Sequence, residues 1–319
     1  MMEGLNKVAS KTWWRHRQIV VCAVVATALF GGQAQATEKG LTQWAQGVQT
    51  IVPAILPPPG DTEFYSYLQY YSADRFNDSH GDPAISDFKA NIIGAAQRVV
   101  HTWKPTLGGW NLSSGVMLAE ANVKLEAAGV RSNYTGLTYI YITPLYLTRN
   151  TKTLHLLAGP GVYLPLGPYN KNRLANSTNN YTSFGLEIAA TWMPNERVEI
   201  SNETNFTVNG TNPDTHYRSG TYMISDFGLN FAPIKNPKWW AGVNGFYTKQ
   251  FTDDTIRGAK VGDGFRLEHF AIGPQVMYYA TPAVAYALKY QHEFIAHNGP
   301  QGDRFWFEVV VPLGHSGSK

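Results

Sequence analysis

Apolar and polar residues alternate along residues 283–294. The first set of alternate positions holds mostly large apolar side chains, namely Val284, Tyr286, Leu288, Tyr290, His292 and Phe294. The second set holds small or polar side chains, namely Ala283, Ala285, Ala287, Lys289, Gln291 and Glu293. Successive side chains of a β-strand point to opposite faces of the sheet, so this segment predicts a strand with one apolar and one polar face. It is about twice as long as a usual strand of a soluble protein, and the pattern is typical of a transmembrane barrel strand.

Similar segments recur along the chain after Glu63. We predict twelve strands, over residues 64–75, 88–99, 110–125, 137–148, 153–166, 182–193, 198–208, 220–231, 239–251, 265–279, 283–294 and 304–313. The alternation is clear in residues 198–208 and 304–313, and it is weaker in the first, third and fourth strands. An even number of strands lets a sheet close on itself, which removes the exposed edges that a bilayer does not tolerate.

The connections between these strands alternate in length. Five are short and turn-like, over residues 104–109, 149–152, 194–197, 233–238 and 280–282. Six are longer and polar, over residues 77–87, 127–135, 167–181, 209–219, 253–264 and 295–303. Short turns at one end and long loops at the other describe an outer-membrane barrel whose termini both lie in the periplasm.

Aromatic residues concentrate beside the short turns, at Trp103, Trp110, Trp192, Trp239, Trp240, Tyr278 and Tyr279. Amphipathic rings favour the headgroup layer of a membrane, so these residues predict a periplasmic aromatic girdle. A soluble secreted β-sandwich, the alternative all-β fold, would bury its tryptophans in mid-strand. The predicted fold class is therefore all-β, a transmembrane antiparallel β-barrel of the bacterial outer membrane with about 12 strands. We assign it to residues 63–319, after a short N-terminal helix.

Residues 37–62 follow a different pattern. Apolar side chains recur there at helical spacing, at Leu41, Trp44, Ala45, Val48, Ile51, Val52 and Ile55. Pro53 is expected to end this amphipathic helix near Val52, and residues 57–60, Pro-Pro-Pro-Gly, are expected to form a stiff link and turn. The helix is a candidate plug of the barrel lumen through Leu41, Trp44, Val48 and Ile51. A helix on the periplasmic membrane surface and a loosely ordered tail are the alternatives.

The first residues have the pattern of a cleaved signal peptide. A basic stretch with Lys7, Lys11, Arg15 and Arg17 precedes the short apolar run of residues 19–30, and Ala34-Gln35-Ala36 supplies the small residues of a cleavage site. We predict a signal peptide over residues 1–36, cleaved after Ala36. The single cysteine, Cys22, lies inside it, so the mature chain would contain none.

The charge of the mature chain is balanced. Removal of residues 1–36 takes four of the 26 Lys and Arg and one of the 23 Asp and Glu, which leaves 22 of each. No basic excess remains that would indicate a nucleic-acid partner. The expected partners are outer-membrane lipids and the barrel-assembly machinery.

Several segments resemble those of a known family. Leu56-Pro57-Pro58-Pro59-Gly60 precedes a tyrosine-rich strand with Tyr65, Tyr67, Tyr70 and Tyr71. Further matching segments are residues 161–169 (GVYLPLGPY), 217–220 (YRSG) with Asp226, 242–254 (GVNGFYTKQFTDD) and Gly273-Pro274. In this order they resemble the outer-membrane transporters named after the meta-pathway of phenol degradation. The resemblance covers nearly all of the mature chain, although residues 170–180 depart from the family's pattern.

The resemblance implies a passive channel or transporter for small hydrophobic or aromatic compounds. The alternative is a plugged structural or sensing barrel without transport. Polar residues on the face opposite the lipid are candidates for the lumen and the permeation path, namely Glu187, Glu199, Glu203, Asn205, Asp226, Asn244, Gln250, His269, Gln275, Lys289, Gln291, Glu293, Arg304 and Glu308. Either they line an open path of mixed charge or they satisfy one another in a closed interior.

Catalytic and metal sites find little support in the sequence. A barrel lipase needs a serine activated by a histidine, and neither His292 nor His297 is followed by a suitable serine. We therefore predict no enzyme activity and no cofactor. Loop carboxylates at Asp78, Asp82, Asp253, Asp254 and Asp263 offer ligands of the type that Ca²⁺ prefers, but solvated loop acids are the commoner case, so no metal site is predicted.

Overall fold

Twelve long antiparallel strands form a closed barrel in the computed structural model, which describes residues 42–232 and 238–314. The strands of the wall are β1 (Thr62–Phe76), β2 (Lys89–Leu107), β3 (Trp110–Ala127), β4 (Val130–Asn150), β5 (Leu154–Pro165), β6 (Ser183–Asn195), β7 (Val198–Asn209), β9 (Tyr222–Phe231), β10 (Trp239–Gln250), β13 (Glu268–Thr281), β14 (Val284–His297) and β15 (Pro300–Pro312). Each strand pairs with the next along the chain, and β15 pairs with β1 to close the sheet. The described residues contain no helix that is long and apolar enough to span a membrane.

Three very short strands form a separate sheet between two of the long loops. They are β8 (Tyr217–Arg218), β11 (Thr255–Ile256) and β12 (Ala259–Lys260), in the order β12-β11-β8. Each of the twelve predicted segments overlaps one strand of the wall, and the ends differ by up to eight residues. The predicted fold class, a barrel of this size and topology, is confirmed.

The two faces of each wall strand differ in exposure and chemistry. On β14, Leu288 and Phe294 are exposed on the outer face, whereas Lys289, Gln291 and Glu293 are buried on the inner face. The same alternation continues around the closed sheet, so the outer surface is a belt of exposed apolar side chains. A closed sheet with such a belt is the architecture of proteins that span the bacterial outer membrane with strands.

Two predicted long loops are wrong, because the strands on both sides continue through them. Residues 127–135 contain a two-residue turn at Ala128-Gly129, both with positive φ, between β3 and β4. Residues 295–303 contain a turn at Asn298-Gly299, between β14 and β15. These hairpins extend beyond the apolar belt, where polar side chains on the outer face meet solvent and do not mark the end of a strand.

The predicted N-terminal helix is also wrong over the part that the structure describes. Residues 42–60 contain bends and turns but no helix. Gly47 has φ +80° and Val52 has φ +37°, which is incompatible with a right-handed helix at both positions. The predicted signal peptide (residues 1–36) and Leu41 lie outside the described residues.

Candidate functional site

Residues 42–56 pass through the barrel from the end with the long loops to the end with the short turns, and we call them the lumenal segment. Near the long loops, the backbone N–H of Gln43 donates to Tyr222 Oη at 2.7 Å. At the other end, the backbone N–H of Ala54 donates to Thr191 Oγ1 at 3.4 Å. The chain then turns into β1 at the short-turn end, so the interior of the barrel is shared between wall side chains and this segment.

Two charged residues of the wall hold the middle of the lumenal segment. The carboxylate of Asp226 accepts the backbone N–H groups of Gly47 at 2.7 Å and Gln49 at 2.9 Å. The ammonium of Lys289 donates to the carbonyl oxygens of Gly47 at 3.0 Å and Val48 at 2.8 Å. Hydrogen bonds to charged groups contribute roughly 1.5–3 kcal/mol each, and these bonds satisfy backbone groups that no helix or sheet pairs. The side chains therefore stabilise an irregular backbone where a helix was predicted.

Further polar side chains of the wall bind the two halves of the segment. The carboxylate of Glu199 accepts the backbone N–H of Val52 at 2.9 Å. On the other half, the guanidinium of Arg304 donates to Gln46 Oε1 at 2.6 Å. Gly47 is required at its position because any side chain there would overlap the amide of Gln291. Contacts thus reach the segment from β7, β14 and β15 as well as from β9.

Wall carboxylates away from the segment also have partners. Glu187 accepts the hydroxyl groups of Tyr141 and Tyr146, both at 2.6 Å, and lies 3.9 Å from the guanidinium of Arg98. Lys289 is 2.5 Å from Glu308. A buried charge is costly unless it is paired and hydrogen-bonded, so this mixed-charge interior is consistent with a structured, narrow lumen.

The structure places the residues predicted to face the lumen on the inner faces of their strands, and they are buried. They are Glu187, Glu199, Glu203, Asn205, Asp226, Asn244, Gln250, His269, Gln275, Lys289, Gln291, Glu293, Arg304 and Glu308. Of the predicted plug residues, Trp44 and Val48 are buried inside the barrel and Ile51 is half-buried. The roles of these residues in permeation or plugging stay predictions.

One side of the lumen is apolar and is not filled by the lumenal segment. A cavity of about 200 Å³ lies between that segment and the inner faces of β1 to β4 and β15, with His269 of β13 at its border. It extends from loop residues near the outer end to the middle of the barrel, and its apolar lining includes Phe88, Ile92, Met117, Val123, Leu125 and Leu174. Small residues on the same faces leave the space open, namely Ala90, Gly94, Ala96, Ala119 and Ala121. We call this space the apolar cavity.

Aromatic rings of the lumenal segment and the wall form a cluster beside the apolar cavity, and Trp44 lines it. Trp44 lies edge-on to Tyr141 and Tyr163, with ring centroids 5.5 Å and 6.5 Å apart. Tyr141 and Tyr163 stack on each other at 4.2 Å. Together with Tyr67 and Met117 they form a buried cluster. A solute in the apolar cavity therefore meets apolar side chains and the edge of this aromatic cluster, which we call the aromatic floor.

The apolar cavity was not predicted from the sequence. The residues predicted to face the lumen are polar, whereas the cavity is lined by inward positions of β2 and β3 that carry small or apolar side chains. A signal was present, because alternation is weak in the third strand. In β3, Val116 and Leu118 are exposed to the outside while Met117 and Ala119 face the cavity, so both faces are apolar.

His292 makes no contact that indicates catalysis. Its Nδ1 lies 2.8 Å from Asp303 Oδ1, and the hydroxyl of Tyr290 donates to the same oxygen at 2.6 Å. These three side chains lie on the outer face of β14 and β15. Among the described residues, no serine hydroxyl forms a hydrogen bond with the ring of His292, so the arrangement of a serine hydrolase is not assembled around it.

The loop carboxylates are held by protein groups. Asp253 accepts a hydrogen bond from Arg266 at 2.8 Å and lies 3.5 Å from Lys260. The hydrogen bond from Arg266 lowers the pKa of the Asp253 carboxyl below its ordinary value. Asp254 accepts the backbone N–H of Gly220 at 2.7 Å and is buried. Within the described ranges, no three His, Cys, Asp or Glu side chains converge as metal ligands.

The chain is similar to known proteins both in sequence and in fold. The family model described as "Putative MetA-pathway of phenol degradation" matches residues 73–309. No curated protein matches the chain. Among solved structures, an outer membrane channel from Pseudomonas putida F1 aligns with a TM-score of 0.72 at 17% identity, covering 85% of this chain and 100% of the other. This structural similarity shows that the two chains share a barrel fold.

Two other solved barrels align less well. The translocator domain of the autotransporter NalP from Neisseria meningitidis has a TM-score of 0.47 at 9% identity, with 80% of this chain and 89% of that chain covered. The β domain of the Bordetella autotransporter BrkA has a TM-score of 0.46 at 10% identity, with 80% and 99% covered.

Proposed function

The chain belongs to the MetA-pathway family of phenol degradation, and from this premise we propose that it is a passive channel for small hydrophobic or aromatic compounds across the outer membrane. The observation that carries the proposal is the apolar cavity beside the lumenal segment. A barrel that served only ions or sugars would line its lumen with polar groups throughout. Here the polar groups are concentrated on one side, where they hold the segment, and the other side is free for an apolar solute.

The size and lining of the apolar cavity suit a single-ring compound. Its volume is about 200 Å³, and an apolar cavity of about 150 Å³ is known to bind benzene. Removal of apolar surface from water contributes roughly 25 cal/mol per Å², so such a solute gains free energy on entry without any specific contact. The aromatic floor around Trp44 adds rings against which a planar solute packs.

The mechanism we propose is diffusion along the apolar side of the lumen. Solute enters between the long loops, moves along the inner faces of β2 and β3, and passes the floor when Trp44 and the lumenal segment shift. The charges of the opposite side are of mixed sign, so they give no strong ion selectivity. The described residues suggest no catalytic step, and we propose that the barrel has no enzyme activity. We also propose outer-membrane lipids and the assembly machinery as its partners.

The substitution Ala119→Leu tests this path. Ala119 is buried and lines the apolar cavity, and the larger side chain would occupy part of the space without adding charge. We expect a severalfold decrease in the initial rate of uptake of a radiolabelled single-ring aromatic compound by cells that express the variant. Cells with a lipopolysaccharide outer leaflet are used, because that leaflet slows the direct entry of apolar solutes.

Ala241→Leu is the matched control, since Ala241 lies exposed on the outer face of β10. Its uptake rate should equal that of the wild type at the same amount of folded barrel, measured by the heat-dependent shift on gels. Equal rates for both variants and the wild type would show that the apolar cavity is not the path. Rates no higher than those of cells without the barrel would exclude transport of this compound.

A second function is favoured by one observation. The lumenal segment is bound by charged side chains along its length, as at Asp226, Lys289 and Glu199. A segment held this firmly is compatible with a closed structural or sensing barrel. The uptake assay separates the two functions, because a closed barrel gives no uptake above background in any variant.

A further inference from the structure

His269 on β13 is a buried titratable residue at the border of the apolar cavity. Its side chain is almost wholly buried, and it lines the cavity beside Pro300 and Arg304. Ring atom Nδ1 lies 3.4 Å from Glu293 Oε1, yet neither Nδ1 nor Nε2 has a hydrogen-bond partner among the described residues. Most buried polar side-chain atoms are hydrogen-bonded, so this imidazole is an exception that requires an explanation.

The surroundings of His269 hold its imidazole ring in place. The carboxylate of Glu293 is already occupied by Arg304 at 2.8 Å, by the hydroxyl of Tyr71 at 2.9 Å and by the N–H of Gly302 at 2.7 Å. This network holds the Glu293 carboxylate in place beside Nδ1. On the other side stands Gly299, where any side chain would overlap Nε2.

A second polar side chain without a hydrogen-bond partner lines the same cavity. Oγ1 of Thr138 on β4 is buried and has no hydrogen-bond partner within the described part of the chain. β4 and β13 belong to different sides of the barrel, so the polar atoms are on separate walls of a space that is otherwise mainly apolar. An unsatisfied buried polar group is costly, and a solute oxygen that bonds to it would recover that cost.

We propose that His269 is a specificity-determining residue of the channel, and that it recognises apolar ring compounds that carry a hydrogen-bonding oxygen, such as an alcohol. The inference rests on the proposed function, because it assigns a selectivity to the same cavity. An oxygen that bonds to Nε2 gives such a solute an advantage over a hydrocarbon of the same size. A typical net hydrogen bond corresponds to roughly a two- to tenfold preference.

The test compares benzyl alcohol with ethylbenzene, which have similar size and the same ring. Initial uptake of each labelled compound is measured in cells that express the wild type, His269→Phe or His269→Gln, and the background of cells without the barrel is subtracted. We expect the wild type to favour the alcohol, His269→Phe to lose this preference while it retains ethylbenzene uptake, and His269→Gln to keep much of it. His155→Phe, at a partly exposed position near a short turn, is the matched control and should behave as the wild type.

The outcomes are distinguishable. Equal uptake of the two compounds by the wild type overturns this inference and leaves the proposed function standing. A wild-type preference that His269→Phe retains overturns the assignment to His269. If neither compound enters above background in the wild type, the proposed function fails and this inference fails with it. His269→Gln keeps the test valid if the Phe variant does not fold.

Discussion

Deletion of residues 42–53 is expected to raise the single-channel conductance of the barrel severalfold. These residues occupy the middle of the lumen, where Trp44 and Val48 are buried and the backbone of Gly47 is bound by two charged side chains. Without them, water and ions fill the space that they vacate. The effect should be large because the segment runs most of the length of the lumen.

The deletion should leave the wall folded. The hydrogen bonds between wall strands do not involve the lumenal segment, and the charges that it leaves without backbone partners would be hydrated by entering water. Planar-bilayer recordings measure the conductance, and the heat-dependent gel shift confirms the fold. An unchanged conductance in a correctly folded deletion variant would mean that the segment does not restrict the lumen.

The substitution Gly228→Leu should displace part of the lumenal segment and, like the deletion of residues 42–53, raise the single-channel conductance. Gly228 lies on the inner face of β9, and a Cβ atom there would overlap the carbonyl oxygen of Thr50. The overlapping atom is backbone, so a change of rotamer cannot relieve the clash. The segment must move away from β9, and its bonds to Asp226, two residues along the same strand, would weaken with it. Bilayer recordings measure the conductance of this variant as well.

Gly94→Leu is the control, because it adds the same side chain to the lumen without displacing the lumenal segment. Gly94 also faces the lumen, but a Cβ atom there would meet its nearest atom, in Gln69, at 3.6 Å, which is ordinary contact. The added side chain enters the apolar cavity and leaves the segment in place. This variant should lower aromatic uptake without raising the conductance. A conductance increase of the same size in both variants would show that the position of the glycine does not matter.

The strands of the wall could be predicted from the sequence because one physical rule dominates them. A strand between lipid and a polar lumen must alternate, as residues 283–294 do, and β14 has the faces expected from that pattern. Two connections were predicted as long loops because the rule changes outside the membrane. At Arg131 and Asn133 the outer face meets water, so polarity no longer marks the end of a strand.

The conformation of the lumenal segment could not be predicted from its own residues. The spacing of Trp44, Val48 and Ile51 suits a helix, but the lumen supplies Asp226 and Lys289 to bind its backbone groups directly. These residues are distant in sequence, and their effect appears only when the barrel closes. Tertiary partners thus override local periodicity here.

The apolar cavity could not be predicted from the sequence for a related reason. The residues predicted to face the lumen are polar, since a water-filled lumen requires polar side chains. The inward positions of β2 and β3, such as Ala90, Gly94 and Ala121, are small and apolar. They weaken the alternation of their strands. Weak alternation of apolar and polar residues is therefore the sequence pattern expected of an apolar lumen wall.

A single thiol placed in the apolar cavity tests the central claim most directly. The only cysteine, Cys22, lies in the predicted signal peptide, so Ala121→Cys would give the mature chain one thiol, on the inner face of β3. Ala287→Cys is the control, since Ala287 faces inward on β14, on the side of Lys289. The measured quantity is the rate at which a small thiol reagent labels each variant, with and without a single-ring aromatic solute.

The account predicts that the solute slows labelling of the Ala121→Cys variant and leaves the Ala287→Cys variant unchanged, because the solute occupies the apolar cavity. If cells take up the solute while it protects neither thiol, or protects only that of Ala287→Cys, the apolar cavity is not the path through this barrel.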